Sequence, residues 1–313
     1  YTYRNIYLLD ATWRMDGNSS FGSETRFAPF WSMGLGLNIH NYAFMKGVNW
    51  LSELKIRGSY GVTGKANFPA NTARTLYTIN SKSVYPTGLG GNITAMGNKN
   101  LKWEKTKITD LGTTINILDG LLVFTGTYYF RRTVDLIADM YIPSSSGFLS
   151  YKDNIGEITN NGYEISLRVK ALAKSDAQLY FTANVASNKN KIKKISESLK
   201  SYNQKIEEKY QDNAHKIETK KPLLKYVEGA STTSIYAMRS LGINPQTGDE
   251  IFRYKDGSYG TEWLASENVA IGNTEPKMNG TLSSNLLLYG VTLDVYFTYT
   301  YGGQQYNQTL QTK

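Results

Sequence analysis

Residues Val291 to Tyr301 alternate without a break. Val291, Leu293, Val295, Phe297, Tyr299 and Tyr301 fall on one parity, and Thr292, Asp294, Tyr296, Thr298 and Thr300 on the other. Successive side chains of a strand point to opposite faces, so such a segment has one apolar wall and one polar wall. The pattern returns along the chain: Leu122, Phe124, Gly126, Tyr128 and Phe130 alternate with Thr125, Thr127, Tyr129 and Arg131; Tyr163, Ile165, Leu167 and Val169 with Glu164, Ser166, Arg168 and Lys170. In the middle of each segment the charges keep to the polar parity. That is the rule for a strand with one face in hydrocarbon, where Arg or Lys near the bilayer midplane costs roughly 2–4 kcal/mol.

A soluble antiparallel sandwich also alternates, with its apolar side turned inward. Strand length and connection length separate the two. The alternation predicts strands at about Tyr3–Asp16, Arg26–Ile39, Leu51–Gly61, Trp103–Ile117, Leu121–Tyr141, Ile155–Ala171, Gln178–Asn190, Gly272–Leu288 and Val291–Tyr301. Each meets or exceeds the roughly 9–11 residues a tilted membrane strand needs, against a mode of about 5–6 in soluble sheets. The connections alternate in size. Residues 118–120, 172–177 and 289–290 are tight and 40–50 moderate, whereas 17–25, 62–102, 142–154 and 191–271 are long. Short turns at one end and long loops at the other are the mark of an outer-membrane barrel. The expected fold is therefore all-β, an antiparallel transmembrane β-barrel with long extracellular loops. The expected organisation is barrel strands over 1–190, a loop subdomain over 191–271, and barrel strands with the start of a further loop over 272–313.

Composition agrees. The 313 residues include 24 Tyr, 11 Phe and 5 Trp, and no Cys, which removes a disulfide scaffold and a thiolate metal site. No apolar run reaches the 18 or so residues of a membrane helix. The net charge is +9, and eleven Lys face five acidic residues between Lys189 and Lys225. A solvated helix face explains that run better than nucleic acid. Phe44, Trp50 and Tyr289 cluster by the short turns and Trp103, Tyr141, Tyr299 and Tyr301 toward the long loops, as aromatic belts would. His40 and His215 stand apart, and no nucleophile elbow, metal-ligand spacing or phosphate loop appears, so neither an enzyme nor a cofactor is expected.

The longest loop has its own pattern. Ile192, Ile195, Leu199, Tyr202, Ile206 and Tyr210 recur at spacings of three and four, which predicts a helix with one apolar stripe. That stripe must bury against the barrel mouth or a partner. Residues 251–254 before Lys255-Asp256-Gly257 read as a strand entering a hairpin. The aromatic residues of the long loops, Tyr77, Tyr85, Tyr151, Tyr202 and Tyr210, are the candidate contacts to a solute or a lid protein. Ordinary loop packing is the competing reading for each.

Several ordered stretches carry a resemblance. They are Arg14-Met15-Asp16-Gly17-Asn18-Ser19-Ser20-Phe21-Gly22, Lys55-Ile56-Arg57-Gly58-Ser59-Tyr60-Gly61-Val62-Thr63-Gly64, and Asn100-Leu101-Lys102-Trp103-Glu104. Pro143 to Phe148, Asn154-Ile155-Gly156-Glu157, Asn161-Gly162-Tyr163-Glu164, and Gly242-Ile243-Asn244-Pro245-Gln246-Thr247-Gly248 continue the series. In this order they resemble the SusC/RagA-type TonB-dependent transporters of Bacteroidetes. The resemblance implies a place in the bacterial outer membrane and about nine strands of a plugged 22-stranded barrel. It also implies import of oligosaccharides or peptides under a SusD-like surface lipoprotein, driven through TonB by a segment outside these residues. A passive porin or a barrel-based adhesin is the alternative.

Overall fold

The computed structural model describes residues 1–21, 25–65, 73–86, 88–141, 147–148, 150–212, 225–305 and 307. A ten-stranded antiparallel sheet forms the wall. It consists of β1 (Thr2–Tyr3), β2 (Tyr7–Gly17), β3 (Phe27–Asn38), β4 (Leu51–Lys65), β7 (Glu104–Ile117), β8 (Leu122–Tyr141), β9 (Ser150–Ala173), β10 (Ala177–Ile195), β16 (Met278–Leu288) and β17 (Val291–Tyr301), in that spatial order. It is a pure meander with β1 and β17 as its edges. The other strands and the α-helix are excursions at the long-loop end: the hairpin β5 (Leu76–Tyr85) and β6 (Gly88–Ala95) between β4 and β7, and a larger unit between β10 and β16. That unit holds α1 (Glu197–Asp212), β11 (Ser234–Ala237) paired with β15 (Val269–Asn273), and the hairpin β12 (Arg239–Ile243), β13 (Glu250–Arg253) and β14 (Tyr259–Gly260).

The register aligns the apolar parities of neighbouring strands. Ile115, Phe124, Leu167, Ala183, Leu282 and Phe297 form one transverse row across six strands. On the other face Asp10, Gly34, Ser59, Asp110, Tyr129, Gly162 and Asn188 form another. The outer rows stay exposed in this wall, Phe297 at 66% and Leu293 at 57%, because their contacts are made to lipid. The packed cores lie elsewhere, all at the long-loop end.

The ends of the wall follow from backbone chemistry. At the tight end, Leu118-Asp119-Gly120 and Tyr289-Gly290 adopt positive φ, the geometry whose twist matches two paired strands. The connection from β3 to β4 is two 3₁₀ turns, Ile39–Asn41 and Ala43–Met45, with Phe44 and Trp50 exposed beside them. At the other end β8, β9 and β10 run past their neighbours, and bulges interrupt their pairing between Thr133 and Leu136 and between Ile192 and Lys194.

Two sequence expectations change. Ile192 and Ile195 belong to β10, and the helix begins only at Glu197. The bulge between Ile192 and Lys194 turns both isoleucines into one cluster, so a strand imitates helical spacing here. Trp103 is no interface anchor. It is 6% exposed, stacked on Phe21 at 4.5 Å and edge-on to Phe30 at 5.5 Å. Trp13, Trp31, Tyr60 and Tyr128, exposed on the apolar face, form that belt instead.

Candidate functional site

The concave polar wall and the mouth above it are the surfaces a solute would meet. Along the wall, small residues clear space between charged ones. Thr12, Arg14, Ser32, Ser59 and Asp110 line a shallow basin of about 340 Å³, and Asp10, Gly34, Gly36, Lys55 and Arg57 line a second of about 370 Å³. Arg57 lies across Gly112, where a Cβ would sit 2.6 Å from its Nε, and donates from Nη2 to Thr127 at 3.0 Å. Arg168 stacks on Tyr180 at 4.3 Å, and Asn285 donates to Asp294. These charges are held by neighbours on the same face, which suits a wetted lining.

At the mouth the motif residues become structural joints. Asn154 donates from Nδ2 to the carbonyls of Asp135 (2.7 Å) and Lys102 (3.1 Å), and its Oδ1 accepts the Lys102 N–H at 2.9 Å. Ile155 is buried with Ile192, Ile195 and Leu199. Gly156 has φ +154°, and a Cβ there would lie 2.1 Å from the Lys194 carbonyl oxygen. Glu157 takes a two-pronged bond from Arg132, both at 2.8 Å. One tetrapeptide therefore clamps the loop before β7, seats the helix and fixes the bulge. In the next motif Gly162 leaves room for the Tyr129 ring, whose hydroxyl donates to Asn188 Oδ1 at 3.0 Å.

Two cavities open here. One of about 1000 Å³ is lined by Phe21, Arg26, Arg74, Tyr77, Lys99 and Lys102 among others. The other, of about 700 Å³, is lined by Asn188, Asn190, Ser231, Asn273, Glu275 and Gln304 among others. In the second, Asn160 Oδ1 accepts from Asn190 (2.8 Å) and Asn188 (3.3 Å), Asn190 Oδ1 accepts the Thr232 N–H at 2.9 Å, and Asn188 also donates to Glu275. The sequence carried a signal for this cluster, since Asn184, Asn188 and Asn190 share the polar parity of β10.

Of the five candidate tyrosines, Tyr77 is exposed on β5 at the first cavity. Tyr151 and Tyr202 pack on the Ile155–Ile192–Ile195–Leu199 cluster, and Tyr210 packs on Met238, Phe252, Trp263 and Ala265. The Tyr85 side chain lies outside the described residues. The helix stripe thus buries against the chain's own mouth, and Ala265 N–H adds a 2.8 Å bond to Gln211 on the same helix. Burial raises the Tyr236 phenol above its usual range, while two bonds from Ser258 hold Asp256 below the ordinary aspartate value. Among the described residues no group of three or more His, Asp or Glu could hold a metal.

Comparison with known proteins matches this architecture. The family model described as "TonB dependent receptor-like, beta-barrel" covers residues 1–312. TonB-dependent receptor P3 of Formosa agariphila is 27% identical, covering 99% of this chain and 32% of its own. TonB-dependent receptor SusC of Bacteroides thetaiotaomicron is 35% identical, covering 63% of this chain and 20% of its own. The solved structure of the RagAB peptide transporter superposes with a TM-score of 0.78 at 26% identity, covering 95% of this chain and 31% of that one. The chain spans about a third or less of the length of these relatives.

Proposed function

The chain belongs to the TonB-dependent receptor-like β-barrel family of the bacterial outer membrane, and on that premise we propose that it forms part of the wall and mouth of an active importer of oligosaccharides or peptides. The observation that carries this reading is the two-faced register: charges and amides on the concave face, aliphatic and aromatic side chains on the convex one. A polar bore with basins of a few hundred Å³ suits hydrated oligomers. The solved neighbour is named a peptide transporter, which supports peptide cargo. The Asn- and Tyr-lined mouth suits either class, since amides pair with hydroxyls and peptide groups alike.

In this reading residues 191–271 are the lid-facing unit, and Leu241, Ile243 and Tyr259, exposed on the β12–β14 hairpin, meet a SusD-like surface lipoprotein. Tyr77 and Tyr85 remain the candidate solute contacts, and Tyr151, Tyr202 and Tyr210 shape the mouth behind them. Energy enters through TonB.

The test is uptake of a mixed oligosaccharide and peptide pool by cells carrying the full-length receptor, with and without TonB. Import that stops without TonB is expected. Equal import in both strains would make the barrel a passive pore and overturn the proposal.

A further inference from the structure

The larger mouth cavity, of about 1000 Å³, differs from the other polar recesses in its charge. Arg26, Arg74, Lys99 and Lys102 line it, and its described lining includes no Asp or Glu. The wall basins and the Asn-lined cavity mix signs: Arg14 lies with Asp110, Lys55 and Arg57 with Asp10, and Lys189 and Lys277 with Glu275. None of the four cations enters an ion pair among the described residues. The acids of the adjoining segments are committed elsewhere. Asp16 pairs with Arg14 at 3.3 Å, and Glu104 accepts the Ile137 N–H at 3.2 Å. Asp153 accepts from Asn98 at 3.0 Å and from the Asn154 N–H at 2.9 Å.

The cations are held in place by their own chain. Three segments meet here and are stitched together. Thr25 donates from Oγ1 to the Leu101 carbonyl at 2.9 Å, and the Ala73 N–H donates to the Ser20 carbonyl at 3.2 Å. Gly97 lies so close to Arg74 that a Cβ would sit 2.2 Å from the Arg74 carbonyl carbon. Lys99 and Lys102 stand either side of the buried Leu101, and Asn154 clamps the Lys102 backbone. Arg26 shares the parity of Ala28 and Phe30, both buried on the concave side, and its Nε is buried with no hydrogen-bond partner among the described residues. A buried charged donor without an acceptor destabilises its site, and an anionic oxygen removes that penalty.

The lining also selects the ligand's chemistry. Arg and Lys donate and do not accept, so they call for a solute rich in acceptor oxygens. Carboxylates and sulfate esters meet that need, and a guanidinium can grip either with two parallel bonds. A peptide brings an N–H donor at nearly every residue, which these side chains do not match. Tyr77, 66% exposed beside the cations, adds a ring face on which a sugar can stack.

We propose that Arg26, Arg74, Lys99 and Lys102, with Tyr77, form a subsite for an acidic oligosaccharide, one that carries uronate carboxylates or sulfate esters. This rests on the import reading above and narrows its cargo.

The experiment measures calorimetric binding to the purified full-length receptor. The ligands are a uronate tetrasaccharide, a sulfated tetrasaccharide, a neutral one of the same length, an acidic tetrapeptide and inorganic sulfate. A charged sugar should bind roughly a hundredfold more tightly than the neutral one, and the tighter of the two charged sugars assigns the anion. The R74Q/K99Q/K102Q variant should lose that preference, while the control K46Q/K174Q at the tight-turn end should keep it. Neutral and charged sugars binding alike, neither charged sugar binding, or a triple variant that keeps the preference would overturn the subsite. So would the tetrapeptide or sulfate binding as tightly as the charged sugars, which would assign an acidic-peptide or free-anion site instead. If the triple variant does not fold, the ligands on the wild type decide alone. Uptake with and without TonB is the separate readout. Charge-selective binding by a receptor that imports equally in both strains would overturn the import reading alone, and TonB-dependent import by a receptor blind to charge would overturn the subsite alone.

Discussion

Leu122 and Val169 on the wall, and Phe21 and Trp103 in the mouth, are all apolar side chains in close pairs, yet their surroundings are opposite. The wall pair points outward in a sheet whose convex face is exposed from Leu35 to Phe297, and hydrocarbon is its solvent. The mouth pair is sealed with Leu101, at 0% exposure, in a core like that of any soluble protein. Wall stability therefore rests on strand-to-strand hydrogen bonding that lipid cannot replace. Stability in the mouth rests on burial from water. The two regions should fail separately and by different substitutions.

The largest expected effect is in the mouth. Trp103→Ala removes the ring that Phe21 and Phe30 pack on and should cost about 3–5 kcal/mol locally. Hydrogen exchange should show residues 18–21 and 98–103 opening while β16 and β17 keep their protection. Loss of wall protection in that variant would erase the distinction between the regions. Next is the wall itself. Ile165→Arg places a charge in the lipid band and should cost roughly 2–4 kcal/mol, whereas Ser166→Arg on the concave face should cost little. Denaturant unfolding in bilayers of defined lipid reads the difference, and equal costs would contradict it.

The boundary comes third. Gly156→Ala drives a methyl into the Lys194 carbonyl from a left-handed backbone. A strain of about 1–3 kcal/mol should unseat α1 and leave the membrane strands intact, measured as faster proteolysis after Ile195. The smallest effect is electrostatic. Asp256 accepts the Ser258 N–H at 2.8 Å and hydroxyl at 2.6 Å, which lowers its pKa. That contribution is complete above the unfolded aspartate value and lost as pH falls through the lower folded value, so amide protection at Ser258 should decline below about pH 4. Asp256→Asn should flatten that profile.

The wall was legible because two solvents write on one strand. β17 runs from Val291 to Tyr301 in both the alternation and the structure, and the hairpin turn around Lys255-Asp256-Gly257 was equally plain. The mouth was harder to read. A bulge let Ile192 and Ile195 pass for helix, and Trp103 has the same local sequence whether it meets lipid headgroups or Phe21. The β5–β6 hairpin escaped because its alternation is broken by two register shifts and by Gly88, Gly90 and Gly91. The Asn160–Asn188–Asn190 cluster needed two strands, β9 and β10, in register before it became a site.

Because these residues contain no Cys, single cysteines along β17 can report the two faces directly. Spin labels at positions 293 to 298 of the full-length receptor in bilayers would be exposed in turn to oxygen, which partitions into lipid, and to a water-soluble nickel chelate. Oxygen should dominate at Leu293, Val295 and Phe297 and the chelate at Asp294, Tyr296 and Thr298, with a period of two. A flat profile, or oxygen dominating at Asp294, would contradict the assignment of the convex face to lipid.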